Sequence, residues 1–160
     1  MSTINYKQYG LAPFFDSLSL EQSARSVVYK VTLAVCEGKV VLSCRDAETG
    51  KDYIEITEDC FVTIQLDGDQ LFFSDAYEAI TTKEELSSYY GGLVYADYDK
   101  AYGRYKTVQF KARFNAGGKY GTVHPFNINV DLLQEDEKGN RRWTGISIDP
   151  DITNPPPIDG

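Results

Sequence analysis

Between Ser26 and Val35, every second residue (Val27, Tyr29, Val31, Leu33 and Val35) is apolar, and the residues between them are mostly smaller or polar. Successive side chains of an extended chain point to opposite faces, so this period-two pattern requires a strand with one buried face. The same period returns in Lys106–Phe114, where Val108, Phe110, Ala112 and Phe114 alternate with Thr107, Gln109, Lys111 and Arg113. It returns again where Phe126, Ile128, Val130 and Leu132 alternate with Asn127, Asn129 and Asp131. No helix can bury such patterns on one side, so they commit the chain to sheets.

Turn residues order the remaining strands. Glu37-Gly38 forms a two-residue turn that sets Val35 opposite Val40, Leu33 opposite Leu42 and Val31 opposite Cys44, and a slip of one residue would destroy this apolar match. Within that hairpin Cys36 and Cys44 point to opposite faces, which excludes a disulfide between them. Asp67-Gly68, between Phe61–Leu66 and Gln70–Phe73, predicts a second hairpin pairing Ile64 with Leu71 and Val62 with Phe73. Further strands are expected at Tyr53–Ile56, Leu93–Tyr98 and Trp143–Ile148. Only Ser74–Tyr90 offers a helix, through the capping-box pattern Thr82-Lys83-Glu84-Glu85, and Gly91-Gly92 would stop it within two turns.

Eight or nine short strands joined by frequent turns predict an all-β, antiparallel sandwich or barrel with at most one short helix. The expected layout is an aromatic N-terminal arm over residues 1–25, a β domain over 26–152 and a Pro-rich tail over 153–160 that leaves in extended polyproline form. At 160 residues this is one domain, large enough to bury a core without staples. The predicted core includes Val27, Val31, Leu33, Leu42, Ile64, Leu71, Phe110, Ile128 and Ile148.

Sixteen basic against 24 acidic residues give a net charge of -8, which repels phosphate backbones and anionic lipids. Nucleic acid and membrane partners are therefore not expected. Three cysteines, Cys36, Cys44 and Cys60, have no zinc or redox spacing. With no export signal or long apolar run in the sequence, they are expected to be reduced thiols in a cytoplasmic protein.

No catalytic, metal or cofactor motif stands out. His124 is the single histidine and reads as a turn residue before Pro125 at the start of a strand. Gly91-Gly92 and Gly117-Gly118 fit neither a P-loop nor a dinucleotide fingerprint and read as turn glycines. The acidic pairs Asp67/Asp69, Asp97/Asp99 and Asp149/Asp151 lack calcium-loop spacing and read as solvated turns.

Tyrosine density is the one unusual feature. Tyr89, Tyr90, Tyr95, Tyr98, Tyr102 and Tyr105 fall within seventeen residues. Gly91-Gly92, Asp97, Asp99 and Gly103 interrupt the segment too often for every ring to share one buried face, so a partly exposed tyrosine surface is expected. Tyrosine joins an apolar body to a polar tip, which suits protein interfaces and stacking on sugars. Tyr89, Tyr90, Tyr95, Tyr98 and Tyr102 are the candidate binding residues.

The segment Ile146-Ser147-Ile148-Asp149-Pro150-Asp151-Ile152-Thr153-Asn154-Pro155 resembles the ending of small bacterial all-β proteins of the inclusion-body and DP-EP families, and some broadly similar proteins carry a "nucleotide synthetase" label. The resemblance implies an immunoglobulin-like sandwich of bacterial origin, with no catalytic residue to carry over. Together these readings favour a non-catalytic interaction or structural module that self-associates or captures a protein partner, without a cofactor. A carbohydrate-binding sandwich using the tyrosines comes second, and an enzyme third.

Overall fold

The computed structural model of the protein describes residues 9–11, 18–21, 24–82, 86, 89–114 and 123–153. These residues form twelve strands: β1 (Tyr9–Gly10), β2 (Ser26–Cys36), β3 (Lys39–Asp46), β4 (Ile54–Glu55), β5 (Cys60–Asp67), β6 (Leu71–Phe73), β7 (Ile80–Thr82), β8 (Tyr90–Asp99), β9 (Arg104–Ala112), β10 (Val123–Glu135), β11 (Arg141–Ile148) and β12 (Asp151–Thr153). Eight or nine strands are expected from the sequence, and each segment named there as a strand is present. The three additional short ones, β1, β7 and β12, flank β10 or its neighbours. The glutamates expected to nucleate a helix, Glu84 and Glu85, lie outside the described residues, as do Gly117-Gly118 and the prolines at 155–157. Among the described residues there is no helix, and no helix long and apolar enough to cross a membrane.

A five-stranded sheet, β3-β2-β5-β9-β8, packs on a seven-stranded sheet built around β10. Tyr29, Val31, Val62, Ile64, Val108 and Phe110 of the first sheet meet Leu71, Phe73, Ile80, Phe126, Ile128, Val130 and Ile152 of the second in one buried core. The sandwich is not purely antiparallel. β2 runs parallel to β5, with Ser26–Thr32 beside Phe61–Asp67, and β12 runs parallel to β4. Both are long-range pairings, which local alternation cannot orient.

The first hairpin has the register set by its alternation: Val35 faces Val40, Leu33 faces Leu42 and Val31 faces Cys44. Glu37 and Gly38 have φ of 53° and 76°, the two left-handed residues of a type I′ turn, whose twist matches the strands. Leu33, Leu42 and Ile148, expected in the core, pack half-buried at its rim.

The hairpin predicted at Asp67-Gly68 does not form. β2 occupies one edge of β5 and β9 the other, so no edge remains for β6, which pairs with β10 instead, Leu71 beside Leu132 and Phe73 beside Val130. Asp67-Gly68 is a corner at which the chain changes sheets. Only Gly68 there has positive φ, whereas a type I′ turn needs two such residues. Lys106 Nζ clamps the corner by donating to the carbonyls of Gly68 and Leu71.

Candidate functional site

Strand β10 explains one opening in the surface. Val130 pairs with both Phe73 and Ile146, and Ile128 with both Ile80 and Ile148, so β6 and β7 share one edge of β10 and β11 lies on the other. Between β6 and β7 the chain leaves the sheet. Ser74 N donates to Asn129 O at 3.0 Å, and Asn129 N donates to Ala79 O at 2.8 Å, which sets residues 75–78 bulging outward opposite one β10 residue. Two β10 side chains pin this excursion. Asn129 Nδ2 donates to Glu78 O at 2.8 Å, and Asp75 N donates to Asp131 Oδ2 at 3.1 Å. Ser74 Oγ closes the turn by accepting from Ala76 N and Tyr77 N at 3.2 and 3.0 Å.

The β8–β9 hairpin forms the opposite wall. Its turn closes through Gly103 N donating to Asp99 O at 2.8 Å, with Gly103 at φ 66°. Between these two walls lies a cleft of about 350 Å³ lined by Asp75, Tyr77, Glu78, Tyr95, Arg104 and Tyr105, among others. That volume falls in the range of small-ligand sites, about 300–1,000 Å³.

Three tyrosine rings pack against one another at tilted angles beside the cleft. Tyr105 lies 5.2 Å from Tyr95 and 4.9 Å from Tyr98, ring centre to ring centre. Strict alternation would send Tyr95 and Tyr98, three residues apart, to opposite faces. Asp97 between them has φ 58°, a left-handed conformation that breaks the alternation, and its carboxylate accepts from Thr107 Oγ1 at 2.5 Å. Tyr95 also anchors the opposite wall, since its hydroxyl oxygen accepts from Ala79 N at 3.1 Å.

Arg104 sits between the walls in a fixed pose. Its Nε donates to Asp131 Oδ2 at 2.8 Å and its NH1 to Tyr102 O at 3.0 Å, and its guanidinium carbon lies 3.6 Å from the centre of the Trp143 ring. Stacking and two hydrogen bonds hold the planar fork. The remaining nitrogen, NH2, is 4.0 Å from Asp75 Oδ2, and that aspartate side chain is 69% exposed. Glu78 reaches the other way. Its carboxylate lies against Gly10 of β1, where an added Cβ would fall 1.3 Å from Glu78 Oε2.

The candidate tyrosines thus separate into three groups. Tyr95 and Tyr98 are exposed and pack at tilted angles against Tyr105. Tyr102 is half-buried in a second, smaller aromatic cluster with Phe72 at 5.1 Å and Trp143 at 6.1 Å. Tyr90 is not at the surface: it is 1% exposed, and its hydroxyl lies 2.5 Å from His124 Nδ1. Half-buried Tyr89 packs 5.6 Å from the same imidazole. His124 is therefore a buried strand residue of β10, not a turn histidine. Gly91 and Gly92 lie inside β8 at a bulge between Gly91 and Val94, which removes the alternation that would have marked Tyr90 as inward-facing.

Sequence reasoning missed Asp75, Tyr77, Glu78, Arg104 and Asp131, because a long-range pairing gathers them. The available signal was an apolar run, Leu71–Phe73, and a β-branched run, Ile80–Thr82, split by the mostly polar Ser74–Glu78. Two other clefts are present. Tyr29, Cys44, Asp52 and Ile148 help line one of about 350 Å³, where burial raises the pKa of both Tyr29 and Cys44. Lys30, Gln65, Asp97 and Lys106 help line another of about 370 Å³, where burial lowers the Lys106 pKa against the nearby carboxylates of Asp69, Asp99 and Asp67. Neither has an aromatic cluster like that of Tyr95, Tyr98 and Tyr105.

No curated protein matches the sequence. A family described as a predicted novel nucleotide synthetase matches residues 1–157, and the resemblance of the ending to inclusion-body and DP-EP proteins is not among the matches. The cleft between the 74–79 excursion and the β8–β9 hairpin thus lies within a chain that belongs to the predicted novel nucleotide synthetase family.

Proposed function

We propose that the protein handles a nucleotide and holds its nucleoside portion in the cleft between the 74–79 excursion and the β8–β9 hairpin. The observation that carries this reading is the pair of packed rings, Tyr95 and Tyr105, lining a cleft of about 350 Å³ with Tyr77 across from them. Every base has a π face, and stacking on an aromatic side chain contributes about 1–3 kcal/mol per base. A net charge of -8 disfavours a polyanion, but not a small ligand whose base and sugar make most contacts. Within a synthetase reaction, the step these residues support is capture and orientation of the substrate.

The single tryptophan, Trp143, stacks on Arg104 at the cleft and provides a fluorescent reporter. Titration with the four ribonucleosides should give saturable changes for at least one of them. Tyr77 and Tyr105 are exposed, so Tyr77→Ser with Tyr105→Ser should keep the circular dichroism spectrum while weakening binding about tenfold or more, as expected from lost stacking. Binding of simple sugars but of no nucleoside would favour a glycan site. Unchanged nucleoside binding in the double variant would overturn this use of the cleft.

A further inference from the structure

Arg104 carries five N–H donors in a fixed fork. Asp131 takes the Nε proton, the Tyr102 carbonyl takes one from NH1, and Trp143 covers a face of the plane. The NH2 nitrogen, by contrast, faces the Asp75 carboxylate at 4.0 Å, beyond hydrogen-bond distance. That carboxylate is 69% exposed, and pairs of this kind contribute little because solvent screens them and the side chain loses freedom. The two aspartates on Arg104 are therefore unequal. Asp131 is buried and structural, whereas Asp75 is a loosely held anion at the cleft end of a rigid guanidinium.

We infer that the NH2 edge of Arg104 is the seat of a phosphoryl group, and that the Asp75 carboxylate stands in for it while the cleft is empty. This assignment rests on the cleft being a nucleotide site and extends it from the nucleoside to its 5′-phosphate. On binding, Asp75 swings into solvent and a phosphate oxygen takes its place. A phosphate matches the guanidinium fork bidentately, which a carboxylate held at 4.0 Å does not. The exchange is of one anion for another, so the net charge beside Arg104 becomes only slightly more negative. Nucleoside 5′-monophosphates should bind better than nucleosides once Asp75 is neutralised, and Asp75 sets how strongly the cleft discriminates between them.

The test uses the whole chain and three probes, inorganic phosphate, adenosine and AMP, each followed through Trp143, with the other three nucleoside and monophosphate pairs run alongside. Asp75→Asn should tighten AMP and inorganic phosphate about fivefold or more and leave adenosine within about twofold, because a displaced charge competitor acts only on the anion. Glu78→Gln removes the same unit of charge from the other end of the cleft, against Gly10, and should give less than a third of that gain. Equal gains in the two variants would mean that only bulk charge matters and would overturn the assignment. So would an Asp75→Asn gain shared by adenosine, or no gain at all. Added to Asp75→Asn, Arg104→Lys keeps the charge but loses the fork, and should abolish the preference for AMP over adenosine. If no nucleoside binds while phosphate still tightens selectively in Asp75→Asn, the nucleoside reading fails and the Arg104 anion site stands. If nucleosides bind and phosphate gains nothing, the reverse holds.

Discussion

Arg104, the first residue of β9, donates from Nε to Asp131 Oδ2 of β10 at 2.8 Å, tying the five-stranded sheet to the seven-stranded one. Their side chains are only 14% and 11% exposed, so neither charge can rely on water if its partner goes. Asp131→Ala should cost about 3–5 kcal/mol, the range for breaking a buried pair from one side. Replacing both members with apolar residues, as in Arg104→Met with Asp131→Leu, should cost less than the single change. Urea unfolding of the three proteins checks this, and a double variant less stable than Asp131→Ala would contradict it.

Burial distinguishes the rim of the sandwich from its centre. Ile64 is fully buried between β2 and β9, and Ile64→Ala should cost about 2–5 kcal/mol through lost burial and a residual cavity. Leu33 is half-buried and packs against the core from the side, so Leu33→Ala should cost about 1 kcal/mol, nearer the mean for point substitutions. Equal losses would place Leu33 in the core proper.

The left-handed backbone at Asp97, φ 58°, holds Tyr95 and Tyr98 against the same ring. Glycine adopts this conformation freely and a β-branched residue resists it. Asp97→Gly should leave the fold within about 1 kcal/mol of wild type, whereas Asp97→Val should destabilise by about 1–3 kcal/mol, the range for a strained backbone position. Near-ultraviolet circular dichroism should show the Tyr95–Tyr105–Tyr98 stack altered in Asp97→Val and kept in Asp97→Gly.

Burial raises the Cys60 thiol pKa to about 11. The unfolded chain ionises this thiol near its ordinary value of 9.0, so between about pH 9 and 11 the unfolded state binds fewer protons than the folded one. Stability from this group is complete below pH 9 and is lost as pH rises towards 11. Wild type should therefore lose more stability over that window than Cys60→Ala does, and parallel profiles would contradict the burial. In the Cys36→Ser background at pH 8, Ellman's reagent should react with half-buried Cys44 before buried Cys60. After denaturation without oxidants, the wild type should titrate three thiols.

The sequence was most legible where partners are neighbours in the chain. Glu37-Gly38 and its flanking alternation specify the β2–β3 register residue by residue, because a two-residue turn leaves little freedom. Asp67-Gly68 carries an equally strong local signal and misleads. Whether β6 folds back depends on β5 having a free edge, and β2 and β9, distant in sequence, occupy both. The same distance hides the cleft. Asn129 and Asp131 read as the polar face of an alternating strand, yet they are at most 8% exposed, because they hold the 74–79 excursion and Arg104. Tyrosine density singled out Tyr95, which lines the cleft, and Tyr98 beside it, but composition cannot tell them from Tyr90, which is buried beside His124.

The most direct test of the proposal that the cleft holds a nucleotide is amide chemical-shift mapping of the labelled protein during titration with AMP and with GMP. Shifts that saturate and gather at Asp75–Ala79, Tyr95, Arg104, Tyr105 and the Trp143 indole are the predicted result. Shifts centred instead on Tyr29, Cys44 and Asp52, or on Lys30, Gln65 and Lys106, would contradict it, as would a spectrum that neither nucleotide perturbs.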